Sequence, residues 1–173
     1  MPDPDRIDPR RAALIAYDVC RRALEPSDPT RRAAIRPVLD AWVQMIAAAR
    51  AAGVPPLTNA VEGTTDAGFP DEIAPCPEDY VFLKRRPSAF YGTGVAELLR
   101  MLRRDTIIIG GGATNRGVET SVREAFNFDL ASIVVRECCW GSDVAAHAYS
   151  LDKAMKMYAR IRHLDEVAAM LRQ

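Results

Sequence analysis

The chain is poor in several features that would announce a function. It has two histidines and four cysteines, and Cys20, Cys76, Cys138 and Cys139 form no CxxC pair. A metal site is therefore not expected, and the cysteine usage reads as cytoplasmic and reduced. Net charge is absent, because 23 basic residues face 23 acidic ones. No electrostatic case exists for nucleic acid or an anionic membrane surface as a partner. No run approaches the roughly 18 apolar residues of a membrane span. Met1 to Arg11 is rich in Pro, Asp and Arg and lacks the apolar core of a signal peptide. Neither a repeat nor a second domain is visible.

What is present fits one soluble domain over residues 1–173, with 49% hydrophobic and 27% charged residues. Its organising stretch is Asp105 to Ala125. Thr106-Ile107-Ile108-Ile109 reads as a buried parallel strand that breaks on Gly110, Gly111 and Gly112. Val118, Val122, Ala125 and Phe126 then recur at helical spacing. A strand, a tight turn and a helix N-terminus in an open α/β sheet face the ligand crevice. The free N–H groups and the helix dipole favour negative charge there. Two phosphate-loop patterns fail. A GxGxxG from Gly110 needs glycine where Asn115 stands, and a P-loop from Gly112 needs Lys-Ser/Thr where Val118-Glu119 stand. A turn with packing duties alone is an equal reading of this stretch taken by itself.

Ala12 to Tyr17 reads as a central first strand with Asp18 at its tip, facing the crevice or serving as a turn or cap aspartate. Glu25 to Pro29 is a loop, and Thr30 to Ala52 a helix in which Pro37 predicts a kink or a late start. Val54 to Thr58 falls where a second strand belongs, though two prolines make it a poor one. Asn59 to Pro77 reads as a long loop whose acids, including Glu62 and Asp66, form a solvated surface. Tyr80 to Leu83 is a third strand ending at Lys84, and Thr93 can cap a helix reaching Leu102. Ala131 to Val135 is a fifth strand and Arg136 to Gly141 a connecting loop. A helix follows to about Tyr158 with Val144, Ala148, Leu151 and Met155 inward, and His147 on it reads as a packing or surface residue. Ile161 belongs to a short sixth strand, before a last helix from Leu164 to Leu171.

Asp18, Lys84 and the glycine-rich turn ending at Gly117 thus converge from three strand ends. A carboxylate and an ammonium side by side tune each other's protonation, and a helix N-terminus supplies donors for a developing anion. These residues resemble the isochorismatase-like hydrolases, a family that includes nicotinamidases, N-carbamoyl amidohydrolases and isochorismatase. The resemblance rests on Ala13-Leu-Ile-Ala-Tyr-Asp18, on Lys84-Arg-Arg-Pro-Ser88-Ala89-Phe90-Tyr-Gly-Thr93, and on Gly112-Ala113-Thr114-Asn115-Arg116-Gly117-Val118-Glu119-Thr120. It covers about residues 11–170. It implies a three-layer α/β/α sandwich with a largely parallel sheet in the order 3-2-1-4-5-6. It implies Asp18 and Lys84 as catalytic residues, and Gly112, Ala113, Arg116 and Phe90 as substrate-binding ones. It also implies a small-molecule substrate, a homo-oligomer, and neither metal nor cofactor.

Three departures bear on the chemistry. The amidohydrolases of the family carry a nucleophilic cysteine where this chain has Gly117. The isochorismatase branch resembles this chain there: it has glycine and cleaves a vinyl ether, which needs a proton donor and water. Arg116 stands where an apolar residue is commoner, and either holds a substrate carboxylate or pairs with Glu119 or Glu62. The second strand lacks the histidine of metal-binding members. The expectation is a cysteine-independent hydrolase of a small anionic substrate. The alternatives are a non-catalytic ligand-binding or assembly member, or an amidohydrolase using Cys20 or water.

Overall fold

The structure is a computed structural model, described here for residues 6–61 and 68–172. Glu62, Gly63 and Asp66 of the expected loop lie outside the described residues. Six parallel strands form one sheet in the order β3-β2-β1-β4-β5-β6. They are β1 Ala12–Tyr17, β2 Pro56–Val61, β3 Tyr80–Lys84, β4 Thr106–Gly112, β5 Ala131–Trp140 and β6 Ala159–Arg162. The helices are α1 Arg21–Leu24, α2 Pro29–Ala51, α3 Val95–Met101, α4 Glu119–Asn127, α5 Val144–Asp152 and α6 Leu164–Leu171.

Every residue of β1 is buried, as its uninterrupted apolar run requires of a strand covered on both faces. Strand alternation divides it between two cores. Ala12, Leu14 and Ala16 pack with Leu39, Trp42, Met45 and Ala49 of α2 and Val167 and Met170 of α6. Ala13, Ile15 and Tyr17 pack on the opposite side with Val95 and Leu99 of α3, Val122 and Ala125 of α4, and Leu151 of α5. Two helical layers thus enclose the sheet.

Several boundaries differ from expectation for physical reasons. The helix α2 starts at Pro29, capped by the Asp28 carboxylate accepting from Arg31 N–H at 2.7 Å. Pro29 fits the first turn, where its missing N–H has no partner to lose, and Pro37 lies within the helix rather than delaying its start. The strand β2 extends to Val61, so Asn59 belongs to the sheet rather than to a loop. Gly94, not Thr93, is the cap of α3, while Thr93 donates its hydroxyl to the Ala89 carbonyl at 2.6 Å.

All three glycines of the organising stretch lie inside β4, so the strand runs through them instead of breaking. The strand β5 runs to Trp140, across the expected loop at Arg136 to Gly141. It pairs again with β4 beyond an irregularity between Ile109 and Gly111, matching Gly111 with Cys139 and Gly112 with Trp140. The Trp42 indole N–H reaches over to the Cys138 carbonyl at 3.0 Å and ties α2 to this extension. The expected long fifth helix ends at Asp152 and is followed by a tighter turn, Ala154–Met157, while Val144 is 78% exposed rather than inward.

Gly111 shows how closely β4 approaches β1. Its φ is +139°, and a Cβ there would fall on the Tyr17 carbonyl carbon and oxygen. Gly92 also has positive φ, +67°, but faces open space. Gly111→Ala is therefore expected to cost at least about 2 kcal/mol, from backbone strain plus overpacking. Gly92→Ala should cost only about 1 kcal/mol. Urea denaturation of both variants measures this, and equal losses would contradict the close approach.

Candidate active site

Asp18 ends β1 in a left-handed conformation, φ +54°, which turns its side chain out of the strand's alternation. Asn59, at the same level of β2, accepts from the Asp18 backbone N–H at 2.9 Å and donates its amide to Asp18 Oδ1 at 2.6 Å. One end of the amide must accept and the other donate, so the network fixes its orientation. Lys84, at the tip of β3, places Nζ 3.0 Å from Asp18 Oδ2. Each carboxyl oxygen thus has its own donor. Lys84 is 7% exposed and the Asp18 side chain 26%, so the pair sits at an opening with the ammonium inside and the carboxylate outermost.

The Lys84 ammonium also lies 4.5 Å from the centroid of the Tyr17 ring, within cation–π range. Tyr17 is 1% exposed. Burial first, and the Asp18 charge second, push its hydroxyl pKa well above the ordinary value, so it stays a neutral donor. Its ring runs to the turn after β4. A Cβ built on Gly117 would fall into the edge of that ring, 2.5 Å from the hydroxyl oxygen. Gly117 is buried, and its φ lies outside the left-handed region. The missing side chain therefore reflects space rather than backbone conformation.

The turn itself is a wide, π-type helical turn over Thr114–Val118 that leads into α4. Gly112 is buried against the Trp140 indole, and the Gly112–Ala113 peptide is cis. The Thr114 hydroxyl donates to the Trp140 carbonyl at 2.9 Å and meets His147 Nδ1 at 2.8 Å. A hydroxyl has one proton, already given to the carbonyl, so Nδ1 carries the imidazole hydrogen. His147 is thus a tie between α5 and the turn, not a residue that merely packs or faces solvent. Behind the turn, Ser121 donates to the Gly117 carbonyl at 2.6 Å and accepts from Ala89 N–H at 2.9 Å. That bond fastens the loop after Lys84 to α4.

The structure brings Asp18, Lys84 and Gly117 together around Tyr17. Ala113 is half-buried beside them. Arg116 is exposed next to Gly117 and forms no ion pair with any described residue. Its expected partner Glu119 is taken by Arg123 at 2.9 Å and by the Ser150 hydroxyl at 2.7 Å. Phe90 lies in the loop after Lys84. It is 5% exposed, in the core, with its ring 5.7 Å from Phe128 at the far end of α4. Its ring packs against the C-terminal end of α4. Cys20 is half-buried at the start of α1, its N–H bonded to the Asp18 carbonyl at 2.8 Å. The chain has left the strand by then, so strand alternation does not place its thiol. Among the described residues, no group of three His, Cys, Asp or Glu side chains is placed to hold a metal ion. Among them, too, no helix is long and apolar enough to cross a membrane.

Comparison with known proteins shows the family and the fold. The isochorismatase domain model matches residues 12–166. The chain is similar to the phenazine biosynthesis protein PhzD1 of Pseudomonas aeruginosa, 26% identical over 179 residues, covering 93% of this chain and 86% of that protein. It is 30% identical over 98 residues to the isochorismatase family protein YecD of Escherichia coli O157:H7, covering 57% of this chain and about half, 52%, of YecD. Amidohydrolases are among the further matches. A solved isochorismatase family protein from Burkholderia thailandensis superposes with a TM-score of 0.84 at 22% identity, over 97% of this chain and 98% of that one.

The two histidines provide a test of the site's surroundings. Burial, with Arg136 nearby, lowers the His147 pKa. The Glu137 carboxylate, 2.6 Å from its Nδ1, raises that of His163. An NMR titration should show two curves, one on each side of the ordinary value of about 6.5. His163 then contributes stability below that value, lost as pH rises through its folded pKa. His147 contributes above it, lost as pH falls through its own. Two coincident curves would contradict the burial of His147 and the Glu137–His163 pairing.

Proposed function

The chain belongs to the isochorismatase family of hydrolases, and from that premise we propose that it works without a nucleophile at position 117, cleaving a vinyl ether in a small anionic substrate of the isochorismate type. The observation that carries this reading is the Asp18–Lys84–Asn59 cluster set beside a Gly117 whose side-chain space is already filled.

Asp18 is the proton donor. Its carboxyl proton goes to the terminal carbon of the enol ether, whose π electrons form the new C–H bond. The positive charge left behind is shared between the adjacent carbon and the ether oxygen. Water adds to that carbon and returns a proton to the Asp18 carboxylate. The resulting hemiketal collapses to a ketone and an alcohol, and the acid is restored. Lys84 and Asn59 hold the two carboxyl oxygens in place and support the carboxylate formed when the proton leaves. Negative charge on the bound substrate favours a neutral carboxyl next to it. Arg116, exposed and without an ion-pair partner among the described residues, is suited to a substrate carboxylate, as are the free N–H groups of the turn after Gly112 and Ala113. In this reading the protein is a cytoplasmic homo-oligomer that needs no metal or cofactor.

Turnover of isochorismate and a panel of amides by the wild type, Asp18→Asn and Cys20→Ser tests the reading. Asp18→Asn should lose about 100-fold or more in kcat with isochorismate. Cys20→Ser should retain the wild-type rate. Loss in Cys20→Ser with turnover of amides would make the protein a thiol amidohydrolase. Absence of turnover throughout would make it a binding or assembly member of the family.

A further inference from the structure

We propose that Tyr17 and Gly117 form a size-matched pair that sets the reaction class of this site: Tyr17 occupies the seat of any side chain at 117 and closes it to a covalent nucleophile. This deepens the cysteine-independent reading above and rests on it.

The argument is steric first. Gly117 is buried, its backbone does not require glycine, and a Cβ there would fall within the Tyr17 ring edge and 2.5 Å from the hydroxyl. Real Cβ atoms do not approach other atoms that closely, so either the ring or the turn must move. Neither has an easy way out. The ring is fully buried, packed in the core formed with α3, α4 and α5, with the Lys84 ammonium over its face. Its backbone is pinned by Gly111, where β4 passes against the Tyr17 carbonyl. The turn is pinned from behind, because Ser121 bonds the Gly117 carbonyl and Ala89 N–H. A protein interior packed to this density does not absorb a new side chain without cost.

The seat is also a reactive place. A thiol at 117 would stand at the turn leading into α4, beside the space now held by Tyr17 and within reach of the Lys84 ammonium. Both surroundings favour a thiolate. The tyrosine hydroxyl put there instead is kept neutral by burial. A site with an acid at 18, a neutral donor at 17 and no room at 117 can protonate and hydrate a substrate but cannot form an acyl-enzyme. Substrate choice between vinyl ethers and amides is thereby placed on Tyr17, a residue one position from the acid.

A double-mutant cycle of Gly117→Cys and Tyr17→Val tests this without any substrate, so it stands or falls separately from the assignment of isochorismate. Two quantities are read: the thermal midpoint, and the rate at which iodoacetamide labels the thiol at 117 at pH 7. Peptide mass spectrometry separates that label from those on Cys20, Cys76, Cys138 and Cys139. Gly117→Cys alone should lower the midpoint by several degrees and label slowly. With Tyr17→Val added, the combined loss should be smaller than the sum of the single losses, and labelling should be at least about tenfold faster. If Gly117→Cys does not accumulate folded, the Gly117→Ala cycle decides by the same additivity. Additive losses, or a thiol that labels equally fast with Tyr17 in place, would overturn the proposal.

Discussion

Everything at this site depends on how closely β4 and the turn after it approach the end of β1. Gly111 lies against the Tyr17 backbone and Gly117 against the Tyr17 ring. A side chain at either position would force the sheet or the turn apart. That approach sets the ring under the Lys84 ammonium, and the ammonium in turn holds the Asp18 carboxylate. Asn59 completes the arrangement from β2. Four parallel strand ends, β1, β2, β3 and β4, thus meet around one aromatic ring. The crevice beyond strand carboxyl ends is where open α/β sheets bind ligands.

The division of labour at the site follows from burial. Lys84 is nearly enclosed and has no freedom beyond its contacts with Asp18 and Tyr17. Asp18 is more exposed than either Lys84 or Tyr17. In the proposed reaction the mobile proton therefore resides on the exposed group, and the fixed charge behind it serves as its counterion. The tyrosine adds a hydrogen-bond donor whose protonation does not change over ordinary pH, because burial keeps it neutral. Arg116, at the rim, adds positive charge outside the enclosed part of the site.

Much of the fold was readable because each strand is a short apolar run between loop signals. Ala12–Tyr17 and Tyr80–Lys84 were placed from such runs, and their ends delivered Asp18 and Lys84. The sheet order came through family resemblance. What was missed has common physical causes. Polar residues inside strands hide them: Asn59 in β2 and Arg136-Glu137 in β5 read as loop. The glycines of β4 read as a break because a sequence does not show that a neighbouring strand needs the space. The contact of the Phe90 ring with Phe128 joins residues distant in the chain and was likewise not legible. The Tyr17–Gly117 contact was invisible for the same reason. The ring that fills the space at Gly117 comes from the end of β1, on the same side of the sheet as α4.

The central claim is that proton transfer to carbon, followed by water addition to the oxocarbenium ion, cleaves the substrate. Hydrolysis of isochorismate in ¹⁸O-labelled water tests it most directly. Water then attacks the enol-ether carbon that becomes the ketone, so the alcohol product keeps the original ether oxygen. Mass spectrometry should find no ¹⁸O in the alcohol. Label in the alcohol would show that water attacks the ring carbon instead, and would contradict the account.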